Sequence, residues 1–153
     1  MKKLLYIFSL ALLLAGCNSV KKNQRLLAQG NYEQAIELAV KKLQKNTSSK
    51  KKDGHITVLE KAFQKNVAKD TRRISFLEKQ GNASGAKEIY YTYQNLAYIQ
   101  DKIRPLLPIY SNTLKRDAEF TLKDYSSKIL GARNAYIAYL YVEAGLYMQY
   151  HTR

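Results

Sequence analysis

At residues 29–36 the chain reads Gln29-Gly30-Asn31-Tyr32-Glu33-Gln34-Ala35-Ile36, which has the composition of a tight turn between two helices. Gly30 permits the left-handed backbone that ends a helix, and Asn31 is a preferred residue at the N-terminal cap of the next one. From there apolar residues recur at helical spacing, at Tyr32, Ala35, Ile36, Ala39, Val40 and Leu43. The stretch therefore predicts a helix hairpin whose second helix buries one face.

A second turn of the same kind lies at residues 80–86, which read Gln80-Gly81-Asn82-Ala83-Ser84-Gly85-Ala86. In both turns an alanine follows the glycine by five residues, and its small side chain lets two helices approach closely. Both resemble the inter-helix turn of tetratricopeptide (TPR) repeats, where Gly-Asn/Asp-Tyr-x-x-Ala-Ile is typical. The two glycines are 51 residues apart, whereas a regular TPR repeat has about 34 residues. The resemblance implies an all-α, TPR-like antiparallel array of helix hairpins that is irregular or incomplete.

Helical spacing continues through most of the chain. The predicted helices cover, in order, about 20–29, 32–43, 56–79, 86–103 and 112–146. Pro105 ends the fourth because its ring clashes with the preceding turn, and the last is one kinked helix or two. Residues 45–54 are polar and strongly basic, which predicts an exposed loop.

The N-terminus combines a basic start, an apolar run and a cysteine. Lys2 and Lys3 precede an uncharged run from Leu4 to Leu14, which is followed by Ala15-Gly16-Cys17. The run has about eleven residues, which suits the apolar core of a signal peptide and is shorter than the roughly 20 needed to span a bilayer. A plain secretory signal, a transmembrane anchor and a buried apolar helix with a chance cysteine are the alternatives.

The same segment resembles a bacterial lipoprotein signal. The resemblance implies that residues 1–16 are removed, that the thiol of Cys17 carries diacylglycerol and that the new amino terminus receives an acyl chain such as palmitate. Residues 17–153 are then one lipid-anchored helical domain, whose core alone stabilises it because no other cysteine exists to form a disulfide. Asn18 is not the aspartate that favours inner-membrane retention in enteric bacteria. We therefore expect the outer membrane, facing the periplasm.

The chain stays strongly basic after the expected removal of the signal peptide. Loss of two lysines leaves 24 Lys and Arg against 12 Asp and Glu, a formal excess of twelve. Such a charge in the envelope indicates contact with anionic lipid headgroups, cell-wall carboxylates or an acidic protein, and export argues against nucleic acid. Lys50, Lys51 and Lys52 are the candidate contacts. The alternative is that the lysines only solvate helix surfaces.

Tyrosine is the main aromatic residue, with thirteen copies and no tryptophan. Rings at successive helical positions cannot all face one core, so Tyr90, Tyr91 and Tyr93 are candidates for a groove that binds a peptide or a glycan. The alternative is that these rings pack between helices, as aromatic residues do in TPR repeats. Residues 136–147 are richly apolar and no polar capping helix follows them. We expect that the native chain continues beyond Arg153 or that its last helix pairs with a partner.

Motifs for catalysis or metal binding are missing from the sequence. His55 and His151 have no recognisable catalytic or ligand set around them, and carboxylates such as Glu60 and Glu88 are expected in helix-surface salt bridges. We expect no enzyme activity, no metal and no cofactor. The expected function is a non-catalytic scaffold or accessory subunit that binds an envelope protein through a TPR-like groove. The alternative is direct binding of anionic lipid, lipopolysaccharide or peptidoglycan.

Overall fold

The structure is a computed structural model of the chain, and it describes residues 19–45 and 49–151. Within these ranges it contains five α-helices, two three-residue 3₁₀ helices (Ala83–Gly85 and Arg104–Leu106) and one pair of short antiparallel strands, so the described part of the chain is all-α, as predicted. The helices are α1 (19–28), α2 (Tyr32–Leu43), α3 (Ser49–Gln80), α4 (Ala86–Ile103) and α5 (Ser126–His151), and the strands are β1 (Tyr110–Ser111) and β2 (Arg116–Asp117). The TPR-like stacking of the hairpins stays a prediction.

The described residues form two compact units. The first comprises those of Met1–Asn66 and Lys102–Phe120, and the second comprises those of Val67–Asp101 and Thr121–Arg153. The division falls inside α3 and near the end of α4. That residues 17–153 form one domain stays a prediction. Each unit has its own buried apolar residues. Those of the first are Ala35, Ile36, Ala39, Val40, Ile56, Val58, Leu59, Ala62, Phe63, Ile103, Ile109 and Ala118, and those of the second are Ile74, Leu77, Ala86, Leu96 and Ile99.

The turn between α1 and α2 has the geometry that its sequence predicted. Gly30 has a φ of 79°, and the backbone N–H groups of Gly30 and Asn31 donate to the carbonyls of Leu27 and Leu26 at 3.2 and 3.0 Å. These two bonds satisfy carbonyls that the end of α1 would otherwise leave unpaired. Asn31 occupies the cap position, although its side chain makes no capping hydrogen bond. Ala35 is completely buried, and the close approach of two helices there stays a prediction.

The start of α3 differs from the prediction. Residues 49–54 were predicted as part of an exposed loop, whereas the structure begins α3 at Ser49. The reason is tertiary contact that helical periodicity does not show: Asp53 is buried, and Gly54 lies directly against Val20 of α1. The remaining predicted loop residues 46–48 lie outside the described residues.

The segment before α5 also differs from the prediction, which placed a helix from about Asn112. The structure has the β1–β2 hairpin there, with Lys115 at a positive φ of 54° in its turn, and helix begins only at Ser126. Polar groups of this segment form hydrogen bonds with side chains of α3 and α4, and not with carbonyl groups of a helix of their own. Asp53 accepts hydrogen bonds from Ser111 and Thr113.

Two further anchors hold the same segment. The Glu60 carboxylate, which is buried and not at the surface as expected, accepts from Arg116 Nη1 and from the backbone N–H of Glu119, both at 2.9 Å. Gln100 bonds both backbone groups of Lys123. Because these donors and acceptors are satisfied by long-range partners, residues 110–125 need no helical hydrogen bonds.

In the second unit, α3 and α4 are joined across the Gly81 turn. Gly81 has a φ of 64°, and Arg73 of α3 donates twice to Glu88 of α4, at 2.6 and 2.8 Å. The expected helix-surface salt bridge at Glu88 is thereby confirmed. Hydrogen bonding to Arg73 lowers the pKa of Glu88. The last helix continues through Gly131 without interruption.

We predict that adding one methyl group at Gly54 weakens the first unit. A Cβ there would lie 2.8 Å from Val20 Cγ1, whereas a Cβ at Gly131, which is also the sixth residue of its helix, meets nothing within 4 Å. Both Gly→Ala changes gain helix propensity, so their difference measures the crowding. Urea unfolding is expected to show Gly54→Ala less stable than Gly131→Ala by about 1–3 kcal/mol. Equal stability of the two variants would contradict the close packing of α1 on α3.

Candidate interaction surfaces

The second half of α5 exposes a continuous set of large apolar side chains. We call this set the α5 apolar surface; it consists of Ile137, Leu140, Tyr141, Val142, Leu146, Tyr147 and Met148. Tyr141 is 77 % exposed and Tyr147 is 64 % exposed. Single exposed apolar residues are ordinary, whereas a group of this kind is a candidate interaction surface. The sequence indicated the apolar character of this helix, because residues 136–147 are richly apolar.

A groove lies beside this surface, between α5 and the segment that joins α3 to α4. Its volume is about 590 Å³. We call it the α5 groove, and its lining residues are Leu77, Glu78, Gly81, Asn82, Ala83, Ala86, Ile89, Ala132, Ala135, Ala138, Tyr139, Val142, Glu143 and Leu146. The three alanines of α5 have side chains too small to fill the space, which leaves it open. Sequence reasoning missed the groove, because its two walls are more than forty residues apart in the chain.

The charges in the α5 groove are both negative, on a chain that is strongly basic. Its ionisable lining residues are Glu78, Glu143 and Tyr139. A hydrogen bond to Glu143 raises the pKa of Tyr139, so this phenol stays protonated at neutral pH and donates to the carboxylate. An apolar groove with two carboxylates suits an apolar segment that carries a basic side chain.

The candidate tyrosines pack against other tyrosines in the second unit. The Tyr90 ring centroid lies 5.2 Å from that of Tyr91 and 6.2 Å from that of Tyr136 on α5. The Tyr93 ring lies 5.9 Å from the Tyr125 ring, and burial raises the pKa of both phenols. These contacts bring Tyr90 and Tyr91 close to Tyr136 of α5, and Tyr93 close to Tyr125 just before it. Tyr91 is half exposed, and a binding role for the three candidates stays a prediction.

The candidate lysines lie where α3 begins, in the first unit. Lys51 is half-buried and Lys52 is exposed; the Lys50 side chain lies outside the described residues. Close by, His55 is buried and bonded to α1 through Ser19 Oγ at 3.4 Å and Asn23 Nδ2 at 3.2 Å. Burial, and then the positive charge of Lys42, lower the pKa of His55. The imidazole is therefore neutral at neutral pH and fixes α1 onto α3, a role that its isolated position in the sequence did not indicate.

Buried carboxylates in the first unit do not form a reactive pair. Asp53 and Glu60 lie two turns apart on α3, and each is occupied by donors from residues 111–119. Among residues 19–45 and 49–151, no group of three His, Cys, Asp or Glu side chains is arranged to hold a metal ion. These carboxylates support the fold by binding the hairpin segment.

Residues 1–18 match a family model described as the prokaryotic membrane lipoprotein lipid attachment site. No curated protein and no solved structure matches the chain. In the part of the chain that the structure describes, no helix has the length and hydropathy required to cross a bilayer. Cys17 itself lies outside the described residues, two positions before the first residue of α1 that the structure shows. The match to residues 1–18 makes this chain a lipid-anchored protein of the cell envelope.

Proposed function

We propose that this chain is a non-catalytic scaffold or accessory subunit, anchored in the outer membrane and facing the periplasm, that binds another envelope protein. Binding takes place in the α5 groove and on the adjoining α5 apolar surface. The observation that carries the proposal is the concentration of exposed apolar side chains on α5. The resemblance of the two glycine turns to TPR repeats supports it, since TPR lipoproteins of bacterial outer membranes often serve assembly or secretion machines.

The size of the α5 apolar surface favours a protein partner. A tyrosine side chain offers about 150–250 Å², so the exposed parts of Tyr141 and Tyr147 alone amount to roughly 300 Å². That already equals the lower end of the largest apolar patch on a typical monomer, about 300–600 Å². Five further apolar side chains of the surface add to it. Burial of this area by a partner would contribute about 25 cal/mol for each square ångström.

The shape and charge of the groove define the partner segment. An apolar helix laid along α5 would bury its side chains against the small alanines of the groove, the mode in which helices bind grooves in other complexes. Glu78 and Glu143 lie in the lining, so a lysine or arginine on the partner helix would meet a carboxylate. We therefore expect an apolar or amphipathic helix with at least one basic residue, contributed by another protein.

Site-specific photocrosslinking in cells tests the proposal. A benzophenone amino acid at Tyr141 is expected to give an adduct with a second protein, and the same amino acid at Tyr110 is expected to give none. Tyr110 is a matched control because it is 56 % exposed but belongs to β1 in the first unit. Mass spectrometry of the adduct is expected to locate the crosslink in an apolar helical segment that contains Lys or Arg.

A charge reversal in the groove sharpens the test. Glu143→Lys places a like charge opposite the basic residue of the partner, so we expect the Tyr141 adduct to fall by about tenfold or more. Adducts of equal yield at Tyr141 and Tyr110 would count against the proposal. An adduct between two copies of this chain would also contradict the proposal, because the surface would then bind a second copy of the chain and not another envelope protein.

A further inference from the structure

One end of the first unit collects the start of α1, the end of α2 and the start of α3. The turn at Gly30 joins α1 to α2 through backbone hydrogen bonds. His55 bonds Ser19 and Asn23 of α1, which places the start of α3 beside the start of α1. The charge of Lys42 near the end of α2 acts on the same imidazole. We call residues 19–22, 41–45 and 49–53 the basic end.

The charge of the basic end is almost entirely positive. Its three segments contain eight lysines and a single acidic residue, Asp53. The Asp53 carboxylate is buried and accepts hydrogen bonds from Ser111 and Thr113. It therefore faces the β1–β2 hairpin and not the solvent around the lysines. Lys21, Lys22 and Lys52 are exposed. A cluster of about 4–8 basic side chains is the kind that binds anionic lipid.

The lipid attachment site lies at this same end. Cys17 is two residues before Ser19, and two residues of chain span at most about 7 Å in any conformation. Ser19 is held to the body by His55, and Val20 is in close contact with Gly54. Once the acyl chains of Cys17 enter the bilayer, Ser19 at the start of the basic end is therefore within about one Debye length, roughly 8–10 Å, of the headgroups.

We infer that the basic end is a membrane-contacting face, whose lysines bind anionic phospholipid headgroups of the bilayer that holds the Cys17 lipid. The acyl chains supply the attachment, and the lysines orient the first unit by turning this end toward the membrane. The inference is independent of the α5 groove, since every residue that it uses belongs to the first unit.

Lysine footprinting of the lipidated protein in vesicles tests the inference. The protein is reconstituted in vesicles of phosphatidylcholine alone or of phosphatidylcholine with about one third phosphatidylglycerol, and acetylation of each lysine is timed by mass spectrometry. In the anionic vesicles Lys21, Lys22 and Lys52 are expected to react several-fold more slowly, with the protection lost in high salt. Lys65, an exposed lysine about 20 Å further along α3, is expected to react equally in both.

A charge variant supplies the second measurement. In the triple variant Lys21→Gln/Lys22→Gln/Lys52→Gln, anionic vesicles are expected no longer to slow the acetylation of Lys51. In Lys65→Gln they are expected to slow it as in the native protein. Circular dichroism of the lipidated variants checks that the helices remain. Equal acetylation rates in both kinds of vesicle would overturn the inference, because the lysines would then make no contact with anionic headgroups beyond what the acyl anchor alone imposes. Protection that arises only with added lipopolysaccharide or peptidoglycan would overturn it as well.

Discussion

Replacing Cys17 with Ala is expected to abolish lipidation completely. The chain has one cysteine, which follows the apolar run and the two small residues Ala15 and Gly16, within the segment that matches the lipid attachment site. Each acyl chain contributes about 0.8 kcal/mol per buried CH₂, and a single chain anchors only marginally, so the loss of all chains removes the stable attachment. Growth with radiolabelled palmitate is expected to label the native protein and not the Cys17→Ala variant.

A second readout comes from the mass of the product. Without the modified thiol the signal segment is not removed, so the variant is expected to be heavier by residues 1–16 and lighter by its acyl chains. Asn18→Ala is the matched control, because it changes the neighbouring residue and keeps the thiol. Palmitate incorporation into the Cys17→Ala variant would refute lipid attachment at this position.

Replacing Asp53 with Ala is expected to lower the free energy of unfolding by about 3 kcal/mol, because hydrogen bonds to a charged acceptor are each worth about 1.5–3 kcal/mol. The variant leaves Ser111 Oγ, which is completely buried, and the Thr113 N–H without their acceptor. Urea unfolding at neutral pH measures the loss. Glu33→Ala, at an exposed glutamate of α2, is expected to change stability by less than about 0.5 kcal/mol.

The same carboxylate makes stability dependent on pH. Burial acts to raise the pKa of Asp53, but hydrogen bonds from Thr113 and Ser111 outweigh it and lower the pKa below the ordinary 3.8. The stabilisation is therefore complete above about pH 4 and is lost as the pH falls through the lowered value. Below pH 4 the native protein is expected to lose more stability than Asp53→Ala does. Parallel acid dependence of the two proteins would contradict this role of Asp53.

Local signals predicted the parts of the fold that depend on nearby residues. Gly30 and Gly81 adopt the positive φ that their turns require, and α4 ends at Ile103 ahead of Pro105. The lipid attachment site is likewise a short contiguous pattern, within residues 1–18. Its prediction needed no knowledge of tertiary structure.

Long-range contacts decided the parts that sequence reasoning missed. Nothing near Thr113 in the sequence shows that its donors bind Asp53, which lies 60 positions earlier, so the helical spacing of residues 112–125 was misleading. The α5 groove has the same origin, because the spacing of Ala132 and Ala138 indicates a packed helix face as readily as an open one. The apolar composition of α5 was visible in the sequence, but its exposure depends on the absence of a covering element among the described residues.

The contact between α1 and His55 limits how far the first unit can move from the membrane. Only Asn18 lies between Cys17, the expected lipidation position, and α1, which is bonded to α3 within the first unit. The first unit therefore cannot move far from a lipid on Cys17. The first unit therefore diffuses in the plane of the membrane. Partners held in the same membrane meet it at a higher effective concentration than freely diffusing proteins do.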